Sequence, residues 1–126
     1  MRNFKELQIW ERSYRLTIMG YKLLSEVNTD EKFGITSQIK RALISIPSNI
    51  AEGASRSSDK DFIRFLGIAL GSSYEVETQF MLLKDLKLIQ SDVSLILTET
   101  SQIQKMISSF ILTLNNKSTL QTKPRV

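Results

Sequence analysis

Apolar residues recur along the chain at helical spacing, in four runs separated by short polar breaks. In the first, over about residues 5–27, Leu7, Trp10, Tyr14, Ile18 and Tyr21 fall on one face at about 100° per residue. That face is expected to look into the core. The polar cluster Asn28-Thr29-Asp30-Glu31-Lys32-Phe33-Gly34 closes the run. The second run, over about 36–52, follows Ile35 with Ile39, Leu43, Ile46 and Ile50. Pro47 lies inside it and cannot donate to the carbonyl of Leu43, so a kink is expected there, and Gly53 reads as the stop. The third run starts after Ser57 and Ser58. Ser58 and Asp61 have the spacing of a capping pair, and Phe62, Leu66, Ala69, Ser73, Val76, Phe80 and Leu83 form the inner face. Residues 87–90 lead to a last run, capped at Ser91 or Asp92, with Val93, Ile96, Ile103, Ile107, Phe110 and Leu114 on one side. Apolar content almost vanishes over 117–126, which reads as a disordered basic tail. Four amphipathic helices with short loops predict an all-α fold, an up-down antiparallel four-helix bundle over residues 1–116. No alternating strand pattern competes with it.

Three features exceed what one bundle core requires. Ile9, Leu16 and Leu23 recur every seven residues with Val27 beside them, on the side of the first helix away from Trp10 and Tyr14. This stripe is expected to form an interface between copies of the chain, the alternative being a wide core-facing arc in a small bundle. Gly67 and Gly71 lie one turn apart in the third helix, where glycine costs about 1 kcal/mol against alanine, and close approach of a neighbouring backbone would compensate. In the second helix, Gln38, Arg41, Ser45, Asn49 and Glu52 line up beside the apolar arc. One reading is a half-buried hydrogen-bond ladder, with Arg41 paired to Glu75 or Glu77 and Asn49 satisfying backbone freed by Pro47. The other is a recognition surface for phosphate or bases, with Arg41, Asn49 and Arg56 as donors.

Composition narrows the chemistry. Neither cysteine nor histidine occurs in the 126 residues. Thiolate sites, disulfides, Ser-His and Cys-His pairs and the commonest metal ligand are therefore excluded. Glu52, Glu75, Glu77 and Asp61 are the only acids that suggest a metal cluster, and di-metal bundles add histidine to such a set. The expectation is no catalytic residue, no metal, no cofactor and no small-molecule substrate: a non-enzyme. Net charge is +4, of which the last ten residues supply +3 through Lys117, Lys123 and Arg125. The remaining candidates for nucleic-acid contact are Lys40, Arg41, Arg56, Lys60 and Arg64, with Arg12, Arg15 and Lys22 on the first helix. The N-terminus has no apolar run of signal-peptide length, and no stretch reaches the roughly 18–20 apolar residues of a membrane span. A soluble, cytoplasmic protein is expected.

The residues also carry a resemblance. The opening Phe4-Lys5-Glu6-Leu7-Gln8-Ile9-Trp10 is similar to F-x-x-L-x-V-W. The segment from Gly34 through Gln38, Ile39, Lys40, Arg41, Ala42, Ser45, Ile46, Asn49, Ile50, Ala51, Glu52 and Gly53 to Arg56 is similar to G-L-x-x-Q-[IL]-R-R-A-x-x-S-I-x-x-N-I-A-E-G-x-x-R. Phe62, Arg64-Phe65-Leu66, Ala69 and the run from Gly71 to Thr78 complete the pattern. Over about residues 4–114 the chain resembles the bacterial four-helix-bundle family of proteins encoded by intervening sequences in 23S ribosomal RNA genes. The accessory variability protein of diversity-generating retroelements resembles that family too. Lys40 stands where the family usually has arginine, and Ser73 where it usually has an apolar residue. The resemblance implies a four-helix bundle that assembles as a homopentamer. By the retroelement relative it also implies an RNA- or DNA-binding accessory role, in which five chains of +4 would act together. The alternative is a protein-interaction scaffold with no nucleic-acid role. Basic residues clustered on one face favour the first, and cations dispersed among acids favour the second.

Overall fold

Short polar side chains start the last two helices of the chain. The computed structural model describes residues 2–27 and 32–122. A single 3₁₀ turn, Phe4–Glu6, leads into α1, Gln8–Leu24. The chain returns through a turn at Lys32–Thr36, bent at Gly34, whose φ of −101° and ψ of −106° are non-helical. Then come α2, Ser37–Ala54; α3, Asp59–Asp85; and α4, Ser94–Thr122. The Ser58 side chain accepts from the Asp61 N–H at 3.1 Å, so the capping pair starts α3 as its spacing predicts. At the other end Lys87 takes a φ of 57°, and the N–H groups of Lys87 and Leu88 reach back to the carbonyls of Lys84 and Leu83. With Leu86 N–H on the Leu82 carbonyl, three last-turn acceptors of α3 are thereby met. Asp92 Oδ1 accepts from Ser94 N–H at 2.9 Å and caps α4. Helix α4 runs to Thr122 and so reaches into the stretch expected to be a tail; residues 123–126 lie outside the described residues.

The helices pack in a ring, α1 on α2, α2 on α3, α3 on α4 and α4 back on α1. The α2–α3 seam is the most extensive and the α1–α4 seam the least. Ile39, Leu43, Ile46, Ile50, Phe62, Leu66, Phe80, Leu83, Ile96, Ile103 and Ile107 are fully buried between them. This is the four-helix bundle that the periodicity predicts, on the apolar faces assigned to α2, α3 and α4. Among the described residues no helix is long and apolar enough to cross a membrane.

The faces of α1 are reversed. Ile9, Ser13, Leu16, Gly20 and Leu24 point inward. Tyr14, Ile18 and Tyr21, expected in the core, are 49%, 45% and 37% exposed. Small residues decide the matter. A Cβ on Gly20 would lie 2.4 Å from Leu43 Cδ1, so it is the glycine side of α1 that admits α2. Gly53 is likewise no stop: α2 continues to Ala54, and Gly53 lets Phe62 and Phe65 of α3 come in, with a Cβ there only 2.7 Å from Phe62 Cδ1. Gly67 and Gly71, for which close approach was expected, are exposed, and a Cβ on either would meet nothing within 4 Å. Helix α2 runs on through Pro47. The Leu43 carbonyl that Pro47 leaves open lies 3.0 Å from the Thr17 hydroxyl of α1 and shares that hydroxyl's one proton with the Ser13 carbonyl at 2.9 Å. Asn49, expected in that role, instead gives its Nδ2 to the Ser45 carbonyl and hydroxyl at 2.8 and 2.9 Å.

Candidate functional site

The stripe expected to join copies of the chain is used inside it. Ile9, Leu16 and Val27 belong to the core and Leu23 is half-buried against it, because Ser13 and Gly20 on the same side let α1 sink onto its neighbours. The apolar surface that α1 leaves outside is the opposite one. Phe4 meets Trp10 edge-on at 5.1 Å, and Trp10 meets Tyr14 at 5.0 Å. Ile18 and Tyr21 extend the row, with Lys40 Nζ of α2 lying 5.2 Å from the Tyr21 ring centre. Between this row and α2 runs a shallow groove of about 380 Å³, walled by Trp10, Tyr14 and Ile18 on one side and by Ile44, Pro47 and Ala51 on the other. Ile44 is 47% exposed. Single exposed apolar residues are ordinary, whereas a contiguous patch built from two helices marks a contact surface.

The candidate cations divide between separate ion pairs on α1 and one cluster at the corner of α2 and α3. Arg12 Nη2 binds Glu99 of α4 at 2.8 Å, and its Nη1 lies 3.5 Å from Met106 Sδ. Arg15 binds Glu11 at 2.8 Å, one turn away. At the α2–α3 corner Arg56 binds Glu52 at 2.6 Å and Arg64 binds Asp61 at 3.2 Å. Both guanidiniums lie over the Phe65 ring, at 4.8 and 4.4 Å from its centre. Arg2 adds to this corner, binding Asp59 at 3.0 Å, facing the Phe62 ring at 5.1 Å, and giving its own N–H to the Ala54 carbonyl. Neither Phe65 nor Arg2 is legible as a site residue, since Phe65 gains its meaning from Arg56 on another helix. Lys22, Lys40, Arg41 and Lys60 have no ion pair among the described residues.

The polar stripe of α2 is a ladder in part, with different partners from those expected. The hydroxyls of Ser45 and Ser72 meet at 2.7 Å and join α2 to α3. Glu77 has a partner, but it is Gln104 of α4, whose Nε2 donates at 3.0 Å and also reaches the Ser73 carbonyl at 3.4 Å. Buried Ser73 gives its hydroxyl to the Leu70 carbonyl. Arg41 pairs with neither Glu75 nor Glu77. Glu52 is held by Arg56, outside the ladder. Among the described residues no group of three or more acids is placed to hold a metal ion.

Comparison with known proteins finds a matching family and similar solved structures. A family model described as 23S rRNA-intervening sequence protein matches residues 5–109. The fold is also similar to the crystal structure of a protein with unknown function from the S23 ribosomal protein family of Bacteroides thetaiotaomicron. That similarity holds at 30% identity over 82% of this chain and 97% of the other, with a TM-score of 0.75. No curated protein matches.

Proposed function

The chain belongs to the 23S rRNA-intervening sequence protein family, and from that premise we propose that it acts without catalysis, as a self-associating helical bundle that brings other macromolecules together. The observation that carries this reading is the exposed row of Tyr14, Ile18 and Tyr21 with Ile44 beside it, continued by half-buried Trp10. Its aromatic make-up is that of interface cores, where large, stiff side chains bury much area at little entropic cost. A second copy is the proposed occupant, and five chains is the number that the family resemblance implies.

The scaffold reading is favoured over the nucleic-acid one by the ion pairs. Arg12, Arg15, Arg56 and Arg64 already stand beside carboxylates, which offset the positive charge that phosphate would meet there. Lys22, Lys40, Arg41 and Lys60 are left for an RNA or DNA partner, spread over three helices.

Light-scattering mass across a concentration series tests the self-association. The wild-type chain is expected to have a multiple of its 14.4 kDa mass. Y14E/I18E, which places two charges on exposed positions, is expected to run as a folded monomer. A wild-type monomer at high concentration would overturn the reading. Titration of the same preparation with structured RNA across a salt series tests the partner class. Weak binding with a shallow salt slope is expected, and tight binding with a steep slope would restore the nucleic-acid role.

A further inference from the structure

Behind the aromatic face, the seam between α2 and α3 opens into a second groove, of about 510 Å³, whose two rims carry opposite chemistry. On the α2 rim stand Gln38 and, one turn on, Arg41. On the α3 rim stand Glu75 and, one turn on, Gln79. The guanidinium of one rim and the carboxylate of the other both line the groove. Arg41 and Glu75 are both exposed and make no ion pair with one another. The floor is the Ser45–Ser72 hydroxyl pair. Two hydroxyls share one mutual hydrogen bond, so one proton of the pair is left for a third partner. Asn49 holds Ser45 in place from the next turn. The Oε1 of Gln79 is buried and has no hydrogen-bond partner, so nothing fixes which end of that amide faces the groove. Ile68 supplies an apolar wall.

A ligand that engages both charged rims presents an anionic acceptor to α2 and a cationic donor to α3. A simple anion leaves Glu75 unanswered, and a simple cation leaves Arg41 unanswered. We propose that this groove binds the zwitterionic head of a free α-amino acid, with its carboxylate on Arg41 and Gln38 and its ammonium on Glu75 and Gln79. The hydroxyl pair supplies one more donor to the carboxylate. The side chain leaves along Ile68 toward solvent, so the site reads the head group and tolerates many side chains.

The test is a titration of the ¹⁵N-labelled full chain with glycine, followed by amide shifts. The same titration is run with acetate and with methylammonium, which are the two halves of the ligand. Glycine is expected to shift amides of residues 38–45 and 72–79 saturably, and each half to bind about tenfold more weakly or worse, because a charge-assisted contact is lost. R41Q and E75Q change exposed side chains and leave the fold intact, and each is expected to weaken glycine by a similar factor. The proposal fails if glycine gives no saturable shift up to its solubility limit. It fails equally if acetate alone binds as well as glycine, or if both substitutions leave glycine binding unchanged.

Discussion

Asp92 sits at the start of α4 with its Oδ1 on the Ser94 N–H. That backbone hydrogen bond, with a second from the Ser94 side chain, holds its carboxyl below the ordinary 3.8, and nearby Lys84 adds to the effect. A carboxyl depressed in the folded state stabilises the fold at pH values above its unfolded pKa. The contribution fades as pH falls through the depressed folded value. D92A is therefore expected to lower the melting temperature near neutrality, with the difference from wild type closing as pH drops below about 4. Melting curves across a pH series read this directly, and a pH-independent difference would contradict it. Such caps were legible: Ser58 and Asp92 both stand where short polar side chains precede an apolar run. The partners of the polar stripe were not. Glu77 needed a donor, but nothing in linear spacing distinguishes Arg41 of the preceding helix from Gln104 of the following one.

The elements themselves were legible for α2, α3 and α4, where large aliphatic residues mark the buried arc without competition. Helix α1 was legible as a helix, but its buried face was not, because two arcs compete on it and the larger side chains lie on the wrong one. Counting apolar residues passes over Ser13 and Gly20, yet these are what let the backbones close. The glycines thus divide by what surrounds them, and substitution separates the two kinds. G20A places a methyl group 2.4 Å from Leu43 Cδ1 in a filled core, and is expected to cost about 1–3 kcal/mol. G67A and G71A add a methyl group in open space on an exposed helix, and each is expected to stabilise by about 0.5–1 kcal/mol. Chemical denaturation of the three variants gives the comparison. Equal effects at Gly20 and Gly67 would remove the packing explanation.

At the scale of the whole molecule, the bundle and its order were legible because loop positions and helix lengths leave few alternatives. The surface was not, because the fate of each charge depends on which helix stands next to it. Arg12 and Glu99 are 87 positions apart in the chain and in contact across the α1–α4 seam. The link from Thr17 to the Leu43 carbonyl has a consequence of another kind, for the order of assembly. An α2 segment alone in water has one carbonyl in mid-helix that its own backbone cannot serve, and the donor arrives only when α1 docks. The helix hairpin of α1 and α2 should then form as one cooperative unit, with this hydroxyl native-like early. T17V keeps the shape and removes the donor. It is expected to destabilise by about 1–3 kcal/mol and to slow refolding by most of that amount while unfolding changes little, which stopped-flow kinetics resolve. A loss seen wholly in the unfolding rate would mean instead that the two helices meet late, after the rest of the bundle has chosen its neighbours.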